Sequence, residues 1–234
     1  MGGTGDPEGL PRQRRGITPQ MHGRYPDFDV LEQAGHWDEV TRRVVLARLD
    51  PPPPRFFGEA ETRTLGAFCD TVLAQDGEPR VPVLPFVDAK LFEGRLDGFQ
   101  YADMPSDGET WRLVARGLDE AAAERGARSY REAGSEDRLA VCEAFAEGRL
   151  AGGTWVRLPV VHGWAVVMRM VLAAFYSHPW AWNEIGFGGP AYPRGYMRLG
   201  IGQREPWEAD DEFPLDPVPD VRERGLDHPP EVSE

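Results

Sequence analysis

The sequence has few of the residues on which metal, disulfide or nucleic-acid chemistry depends. It holds 2 cysteines among 234 residues, too few for a disulfide framework or a cysteine zinc site. Lys90 is the only lysine, and 26 basic residues against 39 acidic ones leave a net charge of −13. This acidity argues against a nucleic-acid binder, because neutralising phosphates supplies most of that affinity. We expect Cys69 and Cys142 to serve as small buried hydrophobic residues.

Catalytic motifs are also missing. The chain contains no P-loop, nucleophile elbow, metalloprotease helix or haem-attachment motif. The glycines at 186, 188 and 189 follow no strand pattern and lack the spacing of a dinucleotide-binding loop. His162 and His178 are too far apart to form an obvious metal pair. We therefore expect no catalytic, cofactor-binding or metal-binding residue in this chain.

A long apolar run without charges is missing as well. The most apolar stretch, residues 155–176, contains two arginines, a proline and a histidine, which disfavours a membrane-spanning helix. The twin arginine at 14 and 15 is not followed by the apolar segment of an export signal. We expect a cytoplasmic protein, while export to the periplasm together with a partner stays open.

Helical periodicity is the dominant pattern that is present, and no alternation typical of strands competes with it. Pro51 to Pro54 form a stiff spacer that must end the first helix. Ser106 followed by Glu109 is a capping box. The predicted helices cover residues 38–49, 57–74 and 85–92, two segments that begin after Ser106 and after Ser135, and residues 159–175. We predict an all-α fold, an irregular helical bundle with long irregular N- and C-terminal extensions.

The apolar faces of these helices predict the core. The expected core residues are Leu65, Phe68, Cys69, Trp111, Leu118, Phe145, Val167 and Leu172, and Leu139 shares a stripe with Cys142 and Phe145. The last helix is apolar nearly all round, except for a line formed by His162, Val166, Arg169, Ala173 and Tyr176. We expect this line to meet solvent or an internal carboxylate. The alternatives are that it faces a partner subunit or a buried ion-pair site.

An aromatic segment, residues 174–202, is the most informative stretch of the chain. Its prolines and glycines exclude a long helix or a central strand. Either it folds back on its own domain or it is a contact surface, since Trp, Tyr and Arg dominate interface energetics. We expect some of its aromatic side chains to stay exposed in the isolated chain. The predicted partner-binding residues are Tyr176, His178, Trp180, Trp182, Phe187, Tyr192, Arg194, Tyr196 and, further on, Trp207.

The two ends of the chain have compositions unlike the middle. Residues 1–24 show no periodicity and predict a disordered or partner-draped arm. Residues 203–234 hold eleven acids against three arginines, so they predict either a solvated tail or a strap anchored on another protein by Trp207, Phe213 and Leu215. The expected organisation is an N-terminal arm with a short helix and polyproline spacer (1–55), a helical domain (56–202) and an acidic proline-rich tail (203–234).

Two blocks of this sequence resemble the gluconate 2-dehydrogenase subunit 3 family. The first runs from Phe56-Phe57-Gly58-Glu59-Ala60-Glu61 through Thr64-Leu65 to Val72-Leu73 and then Phe86-Val87-Asp88. The second is Phe175-Tyr176-Ser177-His178-Pro179 followed by Ile185-Gly186-Phe187-Gly188-Gly189-Pro190. Together the blocks span about residues 56 to 200. The chain departs from the family at Ala74-Gln75-Asp76, where a proline is common, and it lacks the twin-arginine signal of many members.

The resemblance implies a small accessory subunit without catalytic residues. Such a subunit binds and stabilises a large oxidoreductase of the glucose-methanol-choline type, which holds FAD and oxidises a sugar or sugar acid. This chain itself would then hold no cofactor. One alternative is a stand-alone helical enzyme or ligand-binding protein with a pocket of His162, Arg169 and the tryptophans. Another is a regulatory protein that docks through its acidic tail.

Overall fold

A computed structural model describes residues 28–75, 77, 80–95, 97–98, 100–192 and 195. Throughout these residues the regular structure is helical and no strand is present, which confirms the all-α prediction. They form two compact units. We call residues 47–178 the helical unit, and residues 28–46 with 179–192 and 195 the terminal unit. The predictions for the arm at 1–24 and the tail at 203–234 lie outside the described residues.

Seven α-helices are described, and the predicted ones begin and end close to their expected positions. They are α1 (Glu39–Leu46), α2 (Glu59–Val72), α3 (Val83–Phe92), α4 (Asp107–Ala123), α5 (Ser135–Ala146), α6 (Val160–Phe175) and α7 (Pro179–Ile185). Short 3-10 helices cover Val30–His36, Ala47–Leu49, Tyr130–Glu132 and Gly153–Arg157. The helix predicted over 38–49 is therefore an α-helix followed by a 3-10 turn, and its Val40 and Val44 are exposed.

Side-chain caps explain where two of the helices begin. The Ser106 hydroxyl accepts a hydrogen bond from the Glu109 amide at 3.3 Å, as the capping pattern predicted for α4. At the start of α2, the Glu61 carboxylate accepts from the Gly58 amide at 2.9 Å. Each bond satisfies an amide that the first turn of a helix leaves without a partner.

Aromatic side chains form the centre of the helical unit. The Phe68 ring lies 6.1 Å from Phe145, 6.3 Å from Trp164 and 6.4 Å from Tyr130, measured between ring centres. Trp111 is fully buried and its indole N–H points at the Met170 sulfur, 3.0 Å away. Burial raises the pKa of both cysteine thiols, that of Cys142 to about 11, so both stay neutral packing residues as predicted.

One of the predicted core positions is wrong. Leu172 is 40% exposed, whereas the other predicted core residues are buried. Leu139, which shares a stripe with Cys142 and Phe145, is also exposed, at 51%. The buried face of α6 is formed by residues such as Val167 and Met170, and Leu172 lies on the opposite side. Apart from His162 and Arg169, α6 is apolar nearly all round, so its sequence marks the outer face only weakly.

A buried carboxylate holds the chain that follows the polyproline spacer. Asp88 on α3 accepts hydrogen bonds from the amides of Arg55 at 2.6 Å, Phe56 at 3.0 Å and Phe57 at 2.9 Å. This arrangement pairs three backbone donors that a buried loop would otherwise leave unsatisfied. It also joins Phe56-Phe57 to Phe86-Val87-Asp88, two parts of the first block described above.

In the terminal unit, α7 pairs with the 3-10 helix Val30–His36. The Asn183 side chain accepts from the Val30 amide at 2.8 Å and donates to the Asp29 carboxylate at 3.3 Å. Pro179 occupies the first position of α7, where its missing N–H costs nothing, and Gly186 ends the helix with φ of 67°. Beyond the end of α6, the described residues of the aromatic segment contain one short helix, α7.

Candidate partner-binding surfaces

The structure separates the predicted partner-binding residues into buried and exposed ones. His178, Trp180 and Trp182 are buried within the chain. Tyr176 is 41% exposed, Phe187 38% and Tyr192 65%, in keeping with the expectation that some aromatic side chains stay exposed. Arg194, Tyr196 and Trp207 lie outside the described residues. Partner binding by this set stays a prediction, and the exposed members are the ones that a partner can contact without rearrangement.

The buried members have structural partners of their own. The Trp182 ring meets the Phe187 ring edge-on, with ring centres 5.4 Å apart. His178 packs edge-on against Phe86, 6.4 Å between ring centres, and burial lowers its pKa from 6.5 to about 3. The imidazole is therefore neutral at physiological pH. Substituting Trp182 or His178 would therefore remove packing inside the chain, whether or not it also removed a contact with a partner.

An apolar stripe follows the outer face of α6 in the helical unit. Its members, Val161, Ala165, Met168, Leu172 and Tyr176, recur at intervals of three and four and so lie on one side of the helix. Val161 is 60% exposed, while Ala165 and Met168 are half-buried. At 1.5 Å per residue, the stripe extends over about 22 Å. Sequence reasoning missed it by placing Leu172 in the core.

Polar side chains lie beside this stripe and pair with carboxylates of the segment before α4. The His162 ring stacks on Tyr101 at 4.2 Å and its Nδ1 lies 3.1 Å from the Asp103 carboxylate. Arg169 pairs with Asp97 at 3.2 Å and with Asp107 at 3.7 Å. The expectation that the line on α6 meets internal carboxylates is thus confirmed for Arg169, whereas Val166 in that line is buried.

Other part-buried carboxylates of the helical unit hold backbone and hydroxyl groups. Asp119 accepts from the Thr64 hydroxyl at 2.8 Å and from the Tyr130 amide at 2.9 Å. Glu120 accepts hydrogen bonds from the Thr154 amide at 2.7 Å and from the Thr154 hydroxyl at 2.6 Å. These hydrogen bonds lower the pKa of the Glu120 carboxyl. These groups join helices to the 3-10 turns between them.

Clefts open on the described residues of the helical unit, and two of them bear on the ligand-pocket hypothesis. The larger one, of about 700 Å³, lies between the end of α2 and the start of α5. The smaller one, of about 280 Å³, lies beside the 3-10 helix Gly153–Arg157. His162 and Arg169, which the alternative ligand-pocket hypothesis requires, line neither of them.

The described residues offer neither a metal site nor a single membrane-spanning helix. Within the described part of the chain, no three His, Cys, Asp or Glu side chains are grouped so that they could hold a metal ion. No single helix there has the length and apolarity needed to cross a membrane.

Comparison with known proteins gives one family. Residues 59–189, more than half of the chain, match the family model described as gluconate 2-dehydrogenase subunit 3. The matched range runs from the first residue of α2 to Gly189, just beyond α7. Neither a curated protein nor a solved structure matches the chain.

Proposed function

Because the chain belongs to the gluconate 2-dehydrogenase subunit 3 family, we propose that it is an accessory subunit of a sugar or sugar-acid dehydrogenase. In this proposal the partner is a large FAD-dependent subunit of the glucose-methanol-choline type, which carries out the oxidation. The present chain binds and stabilises that subunit and contributes no catalytic residue. The family's description as a subunit supports an assembly of more than one chain.

The observation that carries the proposal is the apolar stripe of α6. Val161, Leu172 and Tyr176 are exposed on one helix face, and contiguous apolar surface of this kind marks interaction sites. Burying a large apolar side chain is worth about 1.5–3 kcal/mol relative to leaving it in water. Docking a partner on the stripe would recover that free energy over several residues at once.

Three carboxylates of the helical unit accept their hydrogen bonds from the chain itself, which supports a role outside catalysis. General acid–base chemistry needs a group within reach of a substrate. Asp88, Asp119 and Glu120 instead accept two or more hydrogen bonds from the chain itself, at distances between 2.6 and 3.2 Å. These side chains stabilise the helical unit, in keeping with a subunit that supports another protein.

Co-expression tests the assembly. The proposal expects a flavin oxidoreductase reading frame next to that of this chain, and that protein is the partner to co-express. Size-exclusion chromatography should show one complex that carries flavin absorbance in proportion to the large chain. Failure of the two chains to co-elute would contradict the accessory role.

Charge insertion tests the surface. Leu172→Glu places a carboxylate in the middle of the stripe and should lower co-purification about tenfold or more, since an interface that loses 1.4 kcal/mol binds tenfold more weakly. The matched control is Val156→Glu, because Val156 is 78% exposed on the 3-10 helix Gly153–Arg157, away from the stripe. Thermal unfolding should be similar for both variants. If both co-purify like the unmodified chain, the stripe is not the docking face.

A further inference from the structure

The larger cleft of the helical unit has a feature that the proposed function does not use. It is lined by three arginines, Arg80, Arg131 and Arg138, against two carboxylates, Asp70 and Glu136. The chain as a whole carries a net charge of −13, whereas this lining holds one more arginine than it holds carboxylates. We propose that this cleft binds a small organic anion that carries carboxylate or phosphate groups.

The arginines differ in how they are engaged. Arg80 forms a short ion pair with Asp70 on α2, which neutralises both groups. The guanidinium groups of Arg131 and Arg138 make no hydrogen bond or ion pair with the part of the chain that the structure describes, and the Nε of Arg138 is buried. A buried donor without a partner costs about 1–3 kcal/mol or more when it is charged. An anion in the cleft would supply acceptors for these groups.

Backbone amides at the start of α5 add partial positive charge beside the same cleft. α5 has 12 residues and begins at Ser135, and its N-cap is Gly134, which has no side chain to accept from the first turn. Ser135 lines the cleft, so the positive end of the helix dipole lies beside Arg131 and Arg138. The opposing charges in the first turn are Glu136, an exposed side chain that lines the cleft, and Asp137, which lies 3.9 Å from Arg125 and does not line the cleft.

The cleft has the size and support of a small-molecule site. Its volume of about 700 Å³ falls in the range of pockets that hold metabolite-sized ligands. One wall is held in place by Gln75, whose side chain accepts from the Val81 amide at 2.7 Å and donates to the Val81 carbonyl at 3.1 Å. Guanidinium groups bind carboxylate and phosphate oxygens in the same bidentate geometry, so both ligand classes fit.

Calorimetric titration of the isolated full chain tests the cleft without the dehydrogenase partner. The probes are citrate for the carboxylate class and inorganic pyrophosphate for the phosphate class, each at constant ionic strength. We expect saturable binding of at least one probe, and the stronger of the two identifies the ligand class. If neither probe gives saturable heat, the proposal is overturned.

Arginine variants locate the site. Arg131→Gln and Arg138→Gln should each weaken binding about tenfold or more, since a hydrogen bond to a charged group is worth about 1.5–3 kcal/mol. Arg63→Gln is the matched control, because Arg63 is an exposed arginine of α2 that pairs with Glu59 and does not line the cleft. Arg131 is exposed, so its variant should fold even if the Arg138 variant does not. An equal loss of binding in Arg63→Gln would show general charge attraction and refute the site.

Discussion

The interactions that stabilise the fold inside each of the two units differ in kind. In the helical unit, the large side chains of Phe68, Trp111 and Phe145 are fully buried and each packs on several others. In the terminal unit, the Asn183 amide and the close approach of Gly189 hold the 3-10 helix and α7 together. Both units bury apolar side chains, but the smaller terminal unit buries fewer large ones, such as Trp37, Trp180 and Trp182, so single contacts such as that of Asn183 should matter more there.

The two units also differ in how far apart in the chain their contacting residues lie. The hydrogen bond from Val30 to Asn183 joins positions 153 residues apart. Closing a longer loop costs more conformational entropy, although the cost grows only slowly with length. The helical unit also pairs helices that are distant in the chain, such as α3 with α6 and α2 with α5, but the loops that these pairs close are shorter than 153 residues. Substitutions should therefore affect the two units to different extents.

The largest effect is expected from Phe68→Ala in the helical unit. Removing a ring that contacts Phe145, Trp164 and Tyr130 should lower the free energy of unfolding by about 3–5 kcal/mol. Urea denaturation followed by circular dichroism measures it. Leu139→Ala is the control, since an exposed leucine should cost less than about 0.5 kcal/mol. Equal losses in the two variants would contradict the assignment of Phe68 to the core.

A substitution at Gly189 tests the terminal unit in the same way. Gly189 has φ of 77°, and a Cβ atom there would lie 2.8 Å from the Val30 side chain and 2.9 Å from the Trp37 ring. Left-handed backbone and overpacking together predict a loss of about 2–3 kcal/mol for Gly189→Ala. Tryptophan fluorescence during thermal unfolding measures this loss.

The control for that variant lies in the same unit. Gly35 is in the 3-10 helix Val30–His36, and a Cβ there would meet nothing within 4 Å. Gly35→Ala should therefore leave thermal unfolding nearly unchanged. If Gly189→Ala behaved like Gly35→Ala, the close packing of Gly189 on Trp37 would be disproved.

A buried histidine makes the helical unit sensitive to acid. Burial lowers the pKa of His178 from 6.5 to about 3, so the unfolded chain binds a proton more readily than the folded one. Stability is then full above pH 6.5 and is lost as the pH falls toward 3. Between pH 7 and 5 the loss should be about 2 kcal/mol.

Urea titrations at several pH values measure the acid sensitivity. His178→Gln should flatten the slope between pH 7 and 5, because it removes the titrating group. His162→Gln, a change at a half-exposed ring that stacks on Tyr101, should keep the slope since His178 is retained. An unchanged slope in His178→Gln would assign the acid sensitivity to other groups.

The contrast between the units also explains which features were predictable from the sequence. The helices α2, α4 and α5 have periodic apolar faces, and the Ser106 cap marks the start of α4, so local pattern was enough to predict them. Nothing near Asn183 indicates that its amide binds the Val30 backbone, because the partner is distant in the chain. The outward side of α6 was missed because apolar residues surround the helix. The cleft residues Arg131 and Arg138 were missed because arginines on helices normally meet solvent.

The smallest predicted effect concerns that distant hydrogen bond. Asn183→Ala removes the acceptor of the Val30 amide, and the loss of one such bond should cost about 1 kcal/mol. Hydrogen exchange should speed up at Val30 and Leu31 but not at Leu65 or Val114 in the helical unit. Gln33→Ala is the control, a change in the same 3-10 helix that leaves the Asn183 amide in place. Faster exchange throughout both units would show that the terminal unit does not unfold on its own and would refute the difference drawn between them.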